Sequence, residues 1–157
     1  MSLDKISNPE TIKHWTDVIP PEYVYTVGVA GERFFREIKE NGRIMGTKCS
    51  KCGCIYLPPR IYCEKCFDYI DEWVDVGLKG CVYAYTVTYL DVDGSPLDKP
   101  IIFAVIKFDG VRGGLIHRLG EVEPEKVCIG MVVEAVFKDK AERIGSINDI
   151  KYFKPVG

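Results

Sequence analysis

The chain of 157 residues lacks the features that mark membrane, exported and several enzymatic classes of protein. No apolar run approaches the roughly 20 residues of a membrane-spanning helix, and the first residues lack the apolar stretch of a signal peptide. Histidine is scarce, with 2 residues, and the Gly-x-Ser-x-Gly, Walker and dinucleotide-binding patterns are missing. We therefore expect no membrane association and none of the nucleophile-elbow, P-loop or Rossmann chemistries.

The chain also lacks a strong charge of either sign, since its net charge is −2. The distribution is uneven: residues 43–67 carry five basic side chains against Glu64, whereas residues 68–157 carry 11 basic and 15 acidic ones. A general nucleic-acid binder usually presents a broad basic face. We therefore expect nucleic acid to be an improbable partner, although the mildly basic segment leaves room for one phosphate-bearing ligand.

Cysteine, with 7 residues, is what the sequence has in excess. Two Cys-x-x-Cys pairs stand ten residues apart, formed by Cys49, Cys52, Cys63 and Cys66. Such turns direct paired sulfurs to one side of a tight loop, and four thiolates close a tetrahedral shell around Zn²⁺. The same spacing suits rubredoxin-type iron, so iron stays an alternative. Thiols at metal spacing and an odd cysteine count favour a reducing, cytoplasmic setting.

The residues next to these cysteines refine the prediction. Gly53 directly follows Cys52, where a metal knuckle often needs a positive φ. Cys54 is a fifth thiol that either points away from the metal or replaces one of the four ligands. Short strands predicted at Ile44–Lys48 and Ile55–Leu57 make the segment a β-ribbon, which is too small to be stable without its metal.

The rest of the chain is predicted as mainly β. Helices are predicted over residues 8–17 and 32–40, the second ending at Asn41-Gly42. Strands are predicted at residues 72–76, 81–90, 101–108, 114–119, 131–137 and 147–153, with a loop over 91–100 and one helical turn at 124–127. Five of these strands, of which the first is long and bent, suggest a small Greek-key barrel of OB type. The predicted units are a helical segment at 1–42, the ribbon at 43–70 and the barrel at 71–157.

Several local motifs occur together in an order that resembles one known family. They include Phe34-Phe35, Arg43-Ile44, Cys49-Ser-Lys-Cys52-Gly53, Leu57-Pro-Pro-Arg60-Ile-Tyr-Cys63-Glu-Lys-Cys66, Trp73, Gly77-Leu-Lys-Gly80, Val82-Tyr-Ala-Tyr-Thr86-Val and Gly130-Met-Val-Val-Glu134. Over roughly residues 31–155 the chain resembles acyl-CoA-associated proteins that join a rubredoxin-like zinc ribbon to an OB-fold, long catalogued as a domain of unknown function. Phe67 departs from the pattern, since glycine usually follows the last cysteine.

The resemblance implies a non-catalytic partner of thiolase-like enzymes in lipid, isoprenoid or polyketide metabolism. Some archaeal relatives are similar to the scaffold between acetoacetyl-CoA thiolase and hydroxymethylglutaryl-CoA synthase. The implied task is to hold part of an acyl-CoA, or to dock two enzymes that exchange it. The residues agree, because a four-thiolate metal has no open coordination position for catalysis. We therefore expect a protein that is not itself an enzyme.

Binding of CoA would need cations for its phosphates and an apolar slot for pantetheine. The candidate cations are Arg43, Lys48, Lys51, Arg60 and Lys65, and Phe34 and Phe35 are candidates for the walls of the slot. This places the predicted ligand where the second helix meets the ribbon. The alternative is that the cations are ordinary surface residues and that the two phenylalanines pack on the following domain.

Two other functions remain open from the sequence. The predicted barrel carries the aromatic residues Tyr83, Tyr85, Tyr89, Phe103 and Phe108, which could stack on single-stranded nucleic acid. The net charge of −4 over residues 68–157 does not supply the basic groove that such binding uses. A redox carrier of rubredoxin type is the third reading. His117 is either a packed strand residue or a residue that faces a ligand.

Overall fold

The computed structural model describes residues 25–157, so the helix predicted over residues 8–17 lies outside the described part. The structure is mainly β, with one α-helix and nine strands in these residues. The elements are α1 (Gly28–Asn41), β1 (Met45–Lys48), β2 (Ile55–Leu57), β3 (Glu72–Asp75), β4 (Lys79–Leu90), β5 (Pro96–Lys107), β6 (Val111–Gly113), β7 (Leu115–Leu119), β8 (Val132–Phe137) and β9 (Ile150–Pro155).

Helix α1 joins the two sheets that follow it. Phe34 and Ile38, one helical turn apart, are 3% and 0% exposed and pack in the core. The helix ends at the predicted stop, where Gly42 adopts φ 62° and its N–H reaches the Ile38 carbonyl oxygen at 3.2 Å. It begins at Gly28, four residues before the predicted start, because the glycine-containing first turn carries no amphipathic signal.

The first sheet has four strands in the order β3-β1-β2-β6. Strand β3 pairs antiparallel with β1, so the segment that the sequence grouped with the barrel lies in the ribbon's sheet. Strand β6 was not predicted; it comes from the barrel half of the chain and pairs in parallel with β2. Gly113 ends β6 at φ 89°, and a Cβ there would collide with the Leu57 carbonyl oxygen. The ribbon and the barrel therefore share backbone pairing.

The second sheet closes into a five-stranded barrel in the order β4-β5-β7-β9-β8. The closure is made by parallel pairing of β7 with β9, at Leu119 and Phe153. Strand β7 shows the expected alternation, with Leu115, His117 and Leu119 directed inwards. The predicted OB-type barrel is confirmed by this topology.

Two strands start three or more residues away from their predicted first residues. The loop predicted over residues 91–100 is shorter, since β5 already begins at Pro96, which pairs with Leu90. Proline is tolerated there because the first residue of a strand need not donate to the ladder. The strand predicted from residue 147 begins at Ile150, because Ser146 caps a 3₁₀ turn at Ile147–Asp149. The helical turn predicted near Pro124 is present at Pro124–Lys126.

One hydrophobic core runs through the helix, the ribbon and the barrel. Ile44 and Leu57 of the ribbon side are 0% and 1% exposed and belong to the same cluster as Ile106 and Phe153 of the barrel. A second, small cluster lies at the cysteine end of the ribbon and contains Tyr56 and Ile70 beside the thiols. This division leaves the metal-binding end attached to the body but outside its main core. No helix of residues 25–157 is long and apolar enough to cross a membrane.

Candidate metal centre and surrounding surfaces

The two Cys-x-x-Cys turns bring four sulfur atoms together. The ligand atoms of Cys49, Cys52, Cys63 and Cys66 all lie within 4.8 Å of one another. In each turn a backbone N–H closes the loop: that of Gly53 reaches the Cys49 carbonyl oxygen at 2.8 Å, and that of Phe67 reaches the Cys63 carbonyl oxygen at 2.8 Å. Because both closing residues have positive φ, 71° and 59°, the two turns have the same geometry.

A buried tyrosine hydroxyl supports this cluster. Tyr56 is 1% exposed, and its Oη lies 3.2 Å from the Sγ of Cys63. Donation from Tyr56 is the largest cause that lowers the pKa of the Cys63 thiol to about 6, and the same bond raises the pKa of Tyr56. The side-chain hydrogen bond with Cys52 raises the pKa of Cys66 to about 12. The cluster thus already favours a thiolate at Cys63.

These residues fit a resident metal ion. Two of the four sulfurs belong to buried residues, the set is of one soft donor type, and four thiolates complete a tetrahedral shell. Cys54 packs against the cluster but is not one of its four grouped ligands. A filled shell of this kind would leave no open coordination position for a substrate.

The cations predicted to bind phosphate are mostly engaged with carboxylates. Lys48 pairs with Glu72 at 3.1 Å, Lys51 with Asp68 at 3.0 Å and Arg60 with Glu64 at 2.7 Å. Arg43 and Lys65 are exposed. Three of the five cations are therefore already paired, and a phosphate would have to compete with Glu72, Asp68 or Glu64 for them.

The two phenylalanines predicted as slot walls have different surroundings. Phe34 is 3% exposed in the core, so its ring cannot line an open slot. Phe35 packs edge-on against it, with ring centroids 5.3 Å apart, and also borders a shallow cleft of about 580 Å³ between α1 and the Gly145-Ser146 turn. The ligand site built from these seven residues therefore stays a prediction.

Three aromatic side chains stand out into solvent beside the second knuckle, and we call them the ribbon-tip aromatic cluster. Tyr62, Phe67 and Tyr69 are 59%, 82% and 58% exposed. The two tyrosine rings pack edge-on with centroids 5.8 Å apart. No role was predicted for this surface from the sequence, although the phenylalanine in place of glycine at position 67 was a signal of it.

The barrel face carries most, but not all, of the expected aromatic residues. Tyr83, Tyr85, Tyr89 and Phe103 are exposed, whereas Phe108 is 4% exposed in the core. His117 is a packed residue, 7% exposed, and its Nε2 lies 3.3 Å from the Ile147 carbonyl oxygen. Burial lowers the pKa of His117. Both ring nitrogens face backbone carbonyls, which does not give a general base directed at a nucleophile.

A cysteine-rich ribbon that holds a metal and shares strands with an OB barrel defines the class of protein. The family model described as the rubredoxin-like zinc ribbon domain of ChsH2 matches residues 36–68, and that of its C-terminal OB-fold domain matches residues 73–138. The chain is 34% identical over 129 residues to a DUF35 domain-containing scaffold protein of Methanocaldococcus jannaschii, which covers 79% of this chain and 89% of the relative. The chain belongs to the ChsH2/DUF35 family.

Further relatives agree with this assignment. A DUF35 domain-containing scaffold protein of Methanothermobacter thermautotrophicus is 30% identical, over 78% of this chain and 94% of the relative. A crystal structure of a DUF35 protein from Sulfolobus solfataricus is similar with a TM-score of 0.66, 32% identity and coverage of 82% and 87% of the two chains. The Ltp2-ChsH2(DUF35) aldolase shares the fold, with a TM-score of 0.60, 22% identity and coverage of 78% and 91%.

Proposed function

We propose that this protein is a non-catalytic scaffold with a structural Zn²⁺ site that docks onto a thiolase-like, acyl-CoA-processing enzyme. The observation that carries the proposal is the 34% identity, across both the ribbon and the barrel, to a relative described as a scaffold protein. Zinc is preferred over iron because the family model that matches residues 36–68 is that of a zinc ribbon domain, and Zn²⁺ is the usual ion of structural four-cysteine sites. When bound, the ion supplies a fixed crosslink between the two knuckles.

The site chemistry supports a role without catalysis. The four grouped thiols are used as ligands, and the one histidine of residues 25–157 is packed against backbone carbonyls. Catalysis by this chain would need a nucleophile, a base and a polarising group directed at one point. The chemistry is therefore assigned to the partner, and this chain contributes position.

The ribbon-tip aromatic cluster is the surface that we assign to the partner enzyme. Exposed aromatic rings that are clustered on a metal-rigidified turn have the character of interface anchors. Phe67 adds a specific argument, because its φ of 59° costs a non-glycine residue about 1–2 kcal/mol. The Phe67 side chain is 82% exposed, so its ring gains little burial within this chain, whereas burial of the ring by a partner would help to offset that cost.

A CoA ligand, if held partly by this chain, would use the cations of the ribbon. The ion pairs that these cations form in the structure are exposed. Exposed ion pairs contribute only about 0–1 kcal/mol to stability, so a phosphate could displace the carboxylates. The resemblance to acyl-CoA-associated proteins supports this ligand class. It also fits a composite pocket, in which the partner completes the binding of pantetheine.

The test is affinity purification of the tagged, zinc-loaded protein from its native cell extract, followed by mass spectrometry. The informative variant is Phe67→Gly, which removes the aromatic anchor while relieving the positive φ. It should keep the fold and the metal but lose the partner. Ile129→Gly, at another exposed apolar position, is the control and should retain the partner.

Three outcomes would each contradict part of the proposal. Recovery of RNA or single-stranded DNA in place of a thiolase-like enzyme would favour the nucleic-acid reading and direct attention to the tyrosines of β4. Equal partner recovery by wild type and Phe67→Gly would show that the docking surface lies elsewhere. A colour from bound iron in the purified protein would overturn the assignment of zinc.

A further inference from the structure

Strand β4 is longer than the barrel that it helps to close. It pairs with β5 from Cys81 to Leu90, but with β8 only from Lys79 to Cys81. On the edge of β4 that faces β8, the last backbone hydrogen bonds are made by Val82. Its N–H donates to the Met131 carbonyl oxygen, and its carbonyl oxygen accepts from the Gly130 N–H. Within residues 25–157, no strand pairs with this second edge beyond Val82.

The open edge lacks the charged residues and prolines that usually protect the edge of a sheet. Sheet edges are normally protected by lysine, proline, charged side chains or bulges, since their unpaired N–H and C=O groups can pair with another strand. Residues 82–90 contain no charged residue, no proline and no glycine. The register with β5 shifts at Tyr83 and again at Tyr89, and between these shifts Ala84 to Thr88 form a regular five-residue stretch.

This stretch is complementary to itself. Its centre is Thr86, and antiparallel pairing with a second copy about that residue would place Thr86 opposite Thr86 and Tyr85 opposite Val87. Threonine pairs and aromatic–β-branched pairs are among the favourable cross-strand combinations. In the same register Tyr83 of one copy, 56% exposed, would lie opposite Tyr89 of the other, 61% exposed, at each end of the paired stretch.

The charges next to the stretch also suit a copy in the antiparallel direction. The Nζ of Lys107 lies 3.9 Å from the ring centroid of Tyr83, at the first end of the open edge. Asp91 follows Leu90 at the other end. A two-fold axis through Thr86 would bring the lysine end of one copy to the aspartate end of the other, which is an attractive arrangement at both ends.

We propose that the open edge of β4, centred on Thr86, is a self-association surface that pairs with the same edge of a second copy to form a symmetric dimer. The two barrels would then share a continuous antiparallel sheet across the two-fold axis. This surface lies on the barrel and is separate from the ribbon-tip aromatic cluster. The dimer would carry two equivalent sites for docking a partner enzyme. The proposal that the chain dimerises does not depend on that partner.

The first test is the mass of the zinc-loaded full chain in solution, measured by sedimentation equilibrium over a range of concentrations. We expect a monomer–dimer equilibrium for the wild type. Thr86→Lys sets two like charges opposite each other at the axis and should weaken the dimer by at least about tenfold. Ile116→Lys, an equal charge change at an exposed site on the central strand β7, should leave the equilibrium unchanged.

The second test fixes the register in a Cys81→Ser, Cys128→Ser background. Opposed residues of antiparallel strands have Cα atoms about 4.5–5.5 Å apart, which is within disulfide reach. Thr86→Cys should therefore form a dimer-linking disulfide, whereas Ala84→Cys, which would face Thr88, should not. A wild type that stays monomeric, a Thr86→Lys variant that dimerises as well as wild type, or equal crosslinking at both positions would overturn the proposal.

Discussion

The hydroxyl oxygen of Tyr56 lies 3.2 Å from the sulfur of Cys63, in a part of the ribbon where both residues are 1% exposed. The guanidinium of Arg60 lies over the same tyrosine ring, 5.5 Å from its centroid. A hydroxyl that donates to a thiolate disperses its negative charge and fixes its direction. The cluster is therefore supported by a side chain that is not itself a metal ligand.

The first prediction concerns the metal-holding role of this hydroxyl. Tyr56→Phe keeps the ring in its buried position but leaves Cys63 without the O–H donor. Loss of a supporting hydrogen bond to a ligand typically costs 10–100-fold in metal affinity, and we expect about tenfold here. The measurement is the rate of Zn²⁺ transfer to a coloured chelator at neutral pH.

Tyr62→Phe is the matched control, because it removes a hydroxyl from an exposed tyrosine of the same ribbon. It should transfer zinc at the wild-type rate. Cobalt-substituted protein gives a second readout, since thiolate-to-metal absorption should shift in Tyr56→Phe and not in Tyr62→Phe. Identical transfer rates and spectra for wild type, Tyr56→Phe and Tyr62→Phe would show that the Tyr56 hydroxyl does not support metal binding.

The second prediction concerns removal of the metal. The cysteine end of the ribbon has a small cluster of its own, whereas Ile44 and Leu57 belong to the main core. Chelation should therefore unfold the two knuckles and leave the barrel folded, since the knuckles have too little core to persist alone. Hydrogen exchange should show lost protection at residues 49–66 and retained protection in β5 and β7.

Cysteine variants separate metal loss from other thiol effects. Cys52→Ser should reproduce the exchange pattern of the chelated protein, because it removes a ligand. Cys128→Ser, at an exposed cysteine outside the cluster, should leave zinc content and exchange unchanged. Unfolding of the barrel together with the knuckles would show that the shared strand β6 couples the two units more strongly than the core division indicates.

The ligands and the barrel could be predicted because their signals are local. Cys-x-x-Cys spacing directly encodes a paired-sulfur turn, and alternation over β7 encodes one buried face. The role of β3 could not be read in this way. Its alternating residues identify a strand, but the choice of β1 as its partner depends on how α1 and the barrel position the chain in three dimensions.

The surroundings of the predicted ligand-binding residues depend on long-range packing, which the sequence does not show. Phe34 and Phe35 are adjacent and of one type, yet only the packing of α1 decides that Phe34 enters the core. The cations near the cysteines likewise looked available for phosphate. In the structure three of them pair with carboxylates, and two of these partners, Glu72 for Lys48 and Asp68 for Lys51, come from more distant parts of the chain.

The third prediction tests whether the ribbon cations bind CoA. Lys51→Glu combined with Arg60→Glu reverses two charges on the proposed phosphate side and should weaken CoA binding more than tenfold, since each phosphate contact is charge-assisted. Lys126→Glu combined with Lys140→Glu, a double reversal outside the ribbon, is the control. Calorimetry with CoA should be run with this chain alone and with the purified partner present. Unchanged affinity in the Lys51/Arg60 variant in both settings would show that this placement of CoA is wrong.

The last prediction concerns Asp149, a carboxylate that is 0% exposed at the end of the 3₁₀ turn before β9. It accepts backbone N–H bonds from Ile144, Gly145 and Ser146 at 3.1, 2.7 and 3.1 Å. Burial opposes its ionisation, but these three donors outweigh burial and hold the pKa of Asp149 below its ordinary value. Because the folded pKa lies below the unfolded one, the contribution to stability is present above the unfolded pKa of about 3.9 and is lost as the pH falls through the folded pKa.

Asp149→Asn replaces one acceptor oxygen by an NH₂ group that faces backbone donors. We expect it to lower the free energy of unfolding at pH 7 by about 1–3 kcal/mol, the cost of leaving buried hydrogen-bonding groups unpaired. The difference from wild type should shrink below about pH 4, because the wild-type carboxylate then becomes protonated. Urea denaturation at pH 7 and at pH 3 measures both effects, and metal loss in acid is common to the two proteins. Asp98→Asn, at an exposed site, is the control and should match wild type at both pH values. If Asp149→Asn differs from wild type by the same amount at pH 7 and pH 3, ionisation of this carboxylate does not stabilise the fold.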